Sequence, residues 1–414
     1  MNHSAPKKIL LLLGCFSLVG YVLRMNISVA AAFMMPDLGL SKAQIGQLFT
    51  GFLIGYTCFQ IPWGLISDRF GANVVLTVAA LSWGVATLLT GCVPGLLLPA
   101  GSVSFAALWF LRFLLGMGEA AAFPVAGRAI ASTMPMHRHA FAYAIVITGT
   151  NIGSAIAPPL VSRLMVSIGW RQSFYVTSLL AFILALTWYL VARRRRMSEP
   201  AALTTPDPAE RKTSWLTLLR SRAVAMLSLS YFLESYVLYV FVFWSYLYLV
   251  EQRHFTVLSG GIYTGLPFLL ATILVPLHGY LSDFLTARRG YNFGRRNLAV
   301  IGMFLSAGFL LLTVRLNNPY AAVAALAVSV ACQMSTENVF WSSSIELGGV
   351  HAGTSGGIMN TAGNLGGIVS TTLIPVLIAR FGWPFAFGSA SLLAFLSGVV
   401  WLFIGRTKGE VDRV

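Results

Sequence analysis

The sequence predicts an all-α membrane protein of about twelve transmembrane helices, arranged as two pseudo-symmetric six-helix bundles. Three observations predict it: apolar runs long enough to cross a bilayer, basic residues gathered on one side of those runs, and a repeat relating the two halves of the chain.

The chain has 414 residues, 57% of them hydrophobic and 10% charged, with a mean hydropathy of +0.77. Soluble domains carry about 25% charge. The apolar residues gather near 9–35, 45–66, 73–93, 103–132, 140–163, 172–192, 223–250, 258–281, 297–316, 319–344, 354–379 and 383–405. These lengths approach or exceed the roughly 20 residues with which an α-helix crosses about 30 Å of hydrocarbon. Alternating segments separated by turns, the mark of a membrane β-barrel, do not occur.

A net charge of +15 raises the question of nucleic acid. The distribution of that charge points to topology instead. With both termini cytoplasmic, Lys42, Arg163, Arg171, Arg253, Arg315 and Arg380 fall on the outer side, and Arg24 and Arg112 fall inside spans. The remaining 20 of the 28 lysines and arginines, among them Arg69, Arg193 to Arg196, Arg288 and Arg289, fall on the cytoplasmic side. This bias follows the positive-inside rule and requires an even number of spans. The expected partner of the basic surface is a bilayer with anionic headgroups, not nucleic acid. The expected location is the inner membrane of the cell.

The halves resemble each other. GLISDRFG at 64–71 returns as GYLSDF at 279–284, placing Asp68 and Asp283 215 apart. Gly169-Trp170 returns as Gly382-Trp383, and Asn151 as Asn364, both 213 apart. The expected organisation is a bundle over 1–192, a polar cytoplasmic linker over 193–222, and a second bundle over 223–414. In repeat-built transporters the substrate site lies near the midplane at the interface of the repeats. Cys15, Cys58, Cys92 and Cys332 fall in or at apolar runs, with no metal-ligand spacing and no disulfide framework. The first apolar run is too long for a cleavable signal and reads as the first span. No nucleophile, metal or cofactor constellation stands out, so neither an enzyme nor a bound cofactor is expected. A monomer is the expected state.

Charges inside the spans carry the functional reading. Each costs at least about 2.5–3.5 kcal/mol at bilayer depth, so it should face a cavity and have a partner. Arg24 and Arg112 each lie about nine residues from the outer end of a span, roughly 13 Å in at about 1.5 Å per residue. Two guanidinium forks at one depth suit a carboxylate and stay charged at any working pH. The competing role for either arginine is a structural ion pair with Glu119 or Glu234. Glu119 follows Arg112 by seven residues and returns to nearly the same helix face. Burial disfavours its charge and an arginine favours it, a balance that can shift as helices rock. Glu234 in the seventh span and Glu337 in the tenth can each bind a proton or pair with an arginine. Tyr21 shares the face of Arg24, and Tyr56 lies at similar depth in the second span. Asn360 and Asn364 in the eleventh span, with Trp341, Ser342 and Ser343 in the tenth, offer hydrogen bonds to the uncharged end of a substrate, or glue between helices. Gly51-x3-Gly55, Gly149-x3-Gly153 and Gly363-x3-Gly367 fit close helix contact.

GLISDRFG and GYLSDFLTARR resemble the loop signature of the major facilitator superfamily. That resemblance implies a conformational latch made by Asp68 and Arg69, with Asp283 and Arg288 or Arg289 as its second copy. YVLRMNISVA, GYTCFQIPWGLISDRFG, RFLLGMGEAAAFP and GIMNTAGNLGGI resemble, more narrowly, the anion:cation symporter family of bacterial sugar-acid (galactonate) symporters, vesicular glutamate transporters and sialin. This resemblance spans essentially the whole chain. It implies substrate contacts at Tyr21 and Tyr56 and proton coupling at Glu119. One position departs from it: the sugar-acid symporters carry an aspartate before the first-span arginine, and this chain has Leu23. The function expected is secondary active import of a small organic anion, a sugar acid or other carboxylate, with protons by alternating access. The alternatives are efflux or exchange of organic anions or drugs, and a membrane sensor that binds a ligand without moving it.

Overall fold

A backbone crossing hydrocarbon finds no water to bond and must satisfy its own N–H and C=O groups, which a helix does internally. A computed structural model describes residues 4–93, 97–99, 101–133, 139–193, 221–348 and 352–404. Residues 194–220, nearly all of the expected linker, lie outside the described residues. The helices are α1 (Ser4–Leu38), α2 (Lys42–Cys92), α3 (Ser102–Glu119), α4 (Ala122–Thr133), α5 (His139–Ile168) and α6 (Trp170–Arg193). They continue with α7 (Arg222–Leu247), a π-helical turn Tyr248–Gln252, α8 (Val257–Arg289), a π-helical turn Asn292–Arg296, α9 (Asn297–Arg315), α10 (Pro319–Gly348) and α11 (Ala352–Leu402).

Among the described residues, 11 helical stretches are long and apolar enough to cross a membrane. These make twelve crossings, because the last of them counts for two. The long α2 holds two of these stretches, Lys42–Ser67 and Arg69–Cys92, and its φ of 81° at Gly71 closes the GLISDRFG turn. The last stretch, Ser355–Leu402, is 48 residues long and breaks at Gly382. At about 1.5 Å per residue it is twice the hydrocarbon thickness, so its two arms cross separately. Helix ends run past the apolar runs. Thus α8 reaches Arg289, eight residues beyond the end of its apolar run at 281, because polar residues continue the helix into the headgroup zone.

Local sequence sets several of these boundaries. Ser41 and Gln44 form a reciprocal capping box that starts α2. Pro124 cannot donate to Ala120 O, so the fourth span is not one helix: α3 stops at Glu119 and α4 restarts at Ala122. Gly169 and Gly382 have φ of 85° and 79°, a region open to glycine and strained for other residues. Each precedes a buried tryptophan, Trp170 or Trp383. The repeat is therefore also a repeat of backbone conformation. Trp170 donates to Asp37 at 3.2 Å and Arg171 pairs with the same carboxylate at 2.8 Å, tying the start of α6 to the end of α1.

The helices gather into two units. One holds α1 to α6 with Tyr246–Gly265; the other holds the rest of the described chain, up to Ser245 and from Leu266 onward. In the first, α1 packs on α5, and α2 packs on α3 and α6. In the second, α9 packs on α10 and α11, Ser230 of α7 and Ser397 of α11 exchange hydrogen bonds, and Asn338 of α10 donates to Val275 O of α8 at 2.8 Å. Lipid tails are as apolar as these side chains, so backbones must approach closely to gain dispersion energy. A Cβ on Gly153 would collide with Leu18 O across α5 and α1, and one on Gly366 with Phe232 O across α11 and α7. These are corresponding places in the two halves. Of the expected Gly363-x3-Gly367 string, Gly363 makes a close contact with Tyr231 and Ser235, beside that of Gly366.

Gly55 and Gly116 hold α2 and α3 together in the same way, against Phe113 O and Phe52 O. Gly116→Val should push these helices apart at a cost of about 1–3 kcal/mol or more. The check is a lower melting temperature of purified protein, with Gly64→Ala, which meets open space, as the unaffected control.

Candidate functional site

Five of the singled-out residues meet in the first unit. Arg24 on α1 and Glu119 at the end of α3 form an ion pair, Arg24 Nε to Glu119 Oε2 at 3.2 Å, with both side chains 4% exposed. The pair needs Gly20: a Cβ there would stand 2.8 Å from Glu119 Oε1. The Arg24 guanidinium lies 4.4 Å from the ring centre of Tyr21, 4.9 Å from Phe52 and 4.9 Å from Tyr56. Aromatic faces attract a cation most where water is excluded. Arg112, also on α3, is buried and donates from Nη2 to the backbone oxygen of Arg24 at 3.3 Å. Its guanidinium lies 5.3 Å from Phe52, and its Nε has no hydrogen-bond partner among the described residues. Two buried guanidinium groups therefore lie beside one carboxylate, which Arg24 holds while Arg112 holds the Arg24 backbone oxygen. The cluster holds more positive than negative charge.

The break after Glu119 is part of this construction. In an unbroken helix Met117 O would accept from Ala121 N–H, but Ala121 turns to Gly118 O at 3.2 Å. The indole of Trp63 on α2 takes up Met117 O at 2.6 Å. Trp63 is a positioning residue that the sequence reading missed. Pro124 signals the break, but nothing local signals which side chain fills it.

The second unit gathers another polar cluster on α7 and α10. Glu234 is buried and accepts from Ser235 Oγ at 3.0 Å and from Gln333 Nε2 at 3.2 Å. Glu337 accepts from the Tyr231 hydroxyl at 3.2 Å and from the side chain of Trp341. Neither acid pairs with an arginine or lysine among the described residues, so the ion-pair role open for Glu234 and Glu337 is not the one observed. Ser342 is half-buried and stays outside these hydrogen bonds. On α11, Asn360 is half-buried, while Asn364 is buried with Nδ2 unpartnered among the described residues.

The loop-signature residues are placed unequally. The side chain of Asp68 lies outside the described ones, and Arg69 is exposed beside Phe70. In the second copy the guanidinium of Arg288 lies 4.2 Å from the Phe284 ring centre. The cation that meets Asp283 is Arg295, on the π-helical turn, at 2.8 Å. Arg295 also donates to Ser282 Oγ at 2.7 Å and to Glu346 of α10 at 2.8 and 3.0 Å. Sequence counting had placed Arg295 among the loop arginines; its burial separates it from them.

Helical crossings in repeated halves, with charged side chains buried among them, are the architecture of a polytopic membrane transporter. The chain belongs to the Major Facilitator Superfamily, which matches residues 12–371. It is 33% identical over 390 residues to the probable sulfoacetate transporter SauU of Cupriavidus necator, across 90% of this chain and 88% of that one. It is 29% identical to the hexuronate transporter of Bacillus subtilis, across 93% and 90% of the chains. Identity to the D-galactonate transporter of Escherichia coli is 28%, across 95% and 93%. Among solved structures, a bacterial homolog of the human lysosomal transporter Spinster superposes with a TM-score of 0.80 at 16% identity, over 99% of both chains. The xylose transporter XylE from E. coli gives 0.76 at 16% identity, over 98% of both. At that identity the structures speak for the fold alone.

Removing one member of a buried ion pair strands the other at a cost of about 3–5 kcal/mol. Arg24→Ala and Glu119→Ala should therefore each lower the melting temperature, and the double variant should lower it by less than the sum of the two. A double-mutant cycle on the purified protein reads the coupling directly.

Proposed function

We propose that this chain imports a small organic anion, a sugar acid or other carboxylate, together with protons by alternating access across the inner membrane, with both termini cytoplasmic. The single observation behind the reading is the buried excess of positive charge: Arg24 and Arg112 with one carboxylate, Glu119, between aromatic rings. An uncompensated guanidinium at bilayer depth is costly, and an anionic substrate relieves that cost when it binds. Arg24 and Arg112 bind the acid group, with Tyr21 and Tyr56 as further contacts. Trp341, Ser342, Asn360 and Asn364 are second-half substrate contacts. The names of the relatives, which include transporters of sulfoacetate, hexuronate and D-galactonate, support an organic acid as cargo. Efflux of cationic drugs fits poorly with a first-half cluster of net positive charge.

Glu119 is the coupling residue of this reading. Paired with Arg24 it stays ionised; a substrate carboxylate competing for that guanidinium frees it to accept a proton. Anion and proton then travel together, and a monomer suffices for the cycle. Asp68 and Arg69, with Asp283 and Arg288, form the latch of one conformational state. Arg295 joins that latch through Asp283.

In proteoliposomes, uptake of labelled D-galactonate, hexuronate or sulfoacetate should rise when the outside is acidified, because protons are then driven inward with the anion. Arg24→Ala should abolish uptake of whichever acid is carried. Normal transport by that variant would sink the anion-site assignment. Glu119→Gln should impair accumulation against a gradient more than exchange of internal for external anion, since exchange needs no net proton movement.

A further inference from the structure

The acids of α7 and α10, Glu234 buried and Glu337 half-buried, meet the substrate contacts proposed above through Trp341, and they too sit in membrane-crossing helices. Their donors form one cluster. The Cβ position of Gly363 on α11 lies 2.6 Å from Tyr231 Cε1, the ring that serves Glu337, and 2.8 Å from Ser235 Oγ, which serves Glu234. The two carboxyls are within electrostatic reach of each other. Among the described residues, the hydrogen bonds they accept come from neutral groups: Ser235, Gln333, Tyr231 and Trp341.

The charged and titratable groups around the pair are few. On α7 they are Tyr231 and, within electrostatic reach of it, Tyr239. On α8, which meets α10 at Asn338, His278 lies against the Ser335 backbone. The only ionisable side chain of α9 is Arg315 at its last residue, and that of α11 is Arg380. Among the described residues of these helices no cation pairs with either carboxylate, and an isolated charge inside a span costs several kcal/mol. A second observation concerns the donor rather than the acids. Gln333 is fully buried and its Nε2 is committed to Glu234, but its Oε1 accepts from nothing among the described residues. An acceptor without a donor sits on the same amide that touches the carboxyl. A protonated carboxyl adds a donor to a cluster of this kind.

We propose that Glu234 and Glu337 form a proton-binding site of the second half: one exchangeable proton shared by the pair and held by Tyr231, Ser235, Gln333 and Trp341. The proton leaves one negative charge spread over two hydrogen-bonded carboxyls instead of two opposed charges. Bound and released during the cycle, it is a second coupling proton besides that of Glu119. This role rests on the proton-coupled reading above; the existence of the site does not.

The test is infrared difference spectroscopy of the full chain in lipid, without substrate, as the buffer is moved from alkaline to acidic. A protonated-carboxyl band should appear on acidification, persist in Glu119→Gln, and be lost from both Glu234→Gln and Glu337→Gln. A titrating band that survives in both of those variants overturns the proposal, as does the absence of any such band in the native protein. Suppression of the band by sodium at constant pH, with choline as control, would instead make this a metal-cation site and also overturn it. If the glutamine variants do not fold, Trp341→Phe removes one donor from Glu337 and must shift the band; an unshifted band overturns it. Because no transported acid is needed, failure here leaves anion import standing, and failure of anion import leaves this result standing.

Discussion

Hydrocarbon excludes water, and each polar group that enters it has to find its partner within the chain. That constraint selects helices for every described crossing and then governs what happens where a helix is interrupted. Pro124 stops α3 beside Glu119. The freed Met117 carbonyl is taken by the Trp63 indole, while the Arg24 carbonyl is met by Arg112. The Arg24–Glu119 pair is the charged counterpart of the same rule. Its members are on different helices, so the pair also ties α1 to α3. Gly20 is small where the carboxylate must approach, and Gly55 and Gly116 are small where α2 and α3 meet.

The two halves share backbone devices but not chemistry. Left-handed glycines before Trp170 and Trp383, and backbone contacts at Gly153 and Gly366, recur at corresponding places. The buried charges do not recur. The first half holds Arg24, Arg112 and Glu119 together, whereas the second holds Glu234 and Glu337 served by neutral donors, and Arg295 apart from them against Asp283 and Glu346. Packing positions are constrained by close approach on both sides of a duplication. Polar positions inside each bundle are constrained only by having a partner, so they can diverge as long as each partner set remains complete.

Much of this was legible in the residues. Charges inside apolar runs are few, so Arg24, Arg112, Glu119, Glu234 and Glu337 stood out without coordinates. Arg295 did not. It lies among several arginines at a helix end, and hydropathy assigns all of them to a loop; only the fold shows that this one is buried between Asp283 and Glu346 while Arg288 lies over Phe284. Trp63 was equally silent, since an indole that closes a broken helix looks like any apolar residue. The extent of α8 was underestimated because the helix continues through Ser282, Asp283 and Thr286, where hydropathy falls but hydrogen bonding does not.

By itself the sequence determined the solvent of this protein and the repeat of its helical halves, because bilayer thickness leaves a direct mark on the length of apolar runs. It also determined which side chains would be expensive to bury. Only the tertiary structure decided how that expense is met: Glu119 by Arg24, Arg112 by a backbone carbonyl, and the pair on α7 and α10 by neutral donors. The reason is physical. Cost at bilayer depth belongs to a single residue and can be read along a chain, whereas partnership belongs to a distance between helices and exists only after they pack.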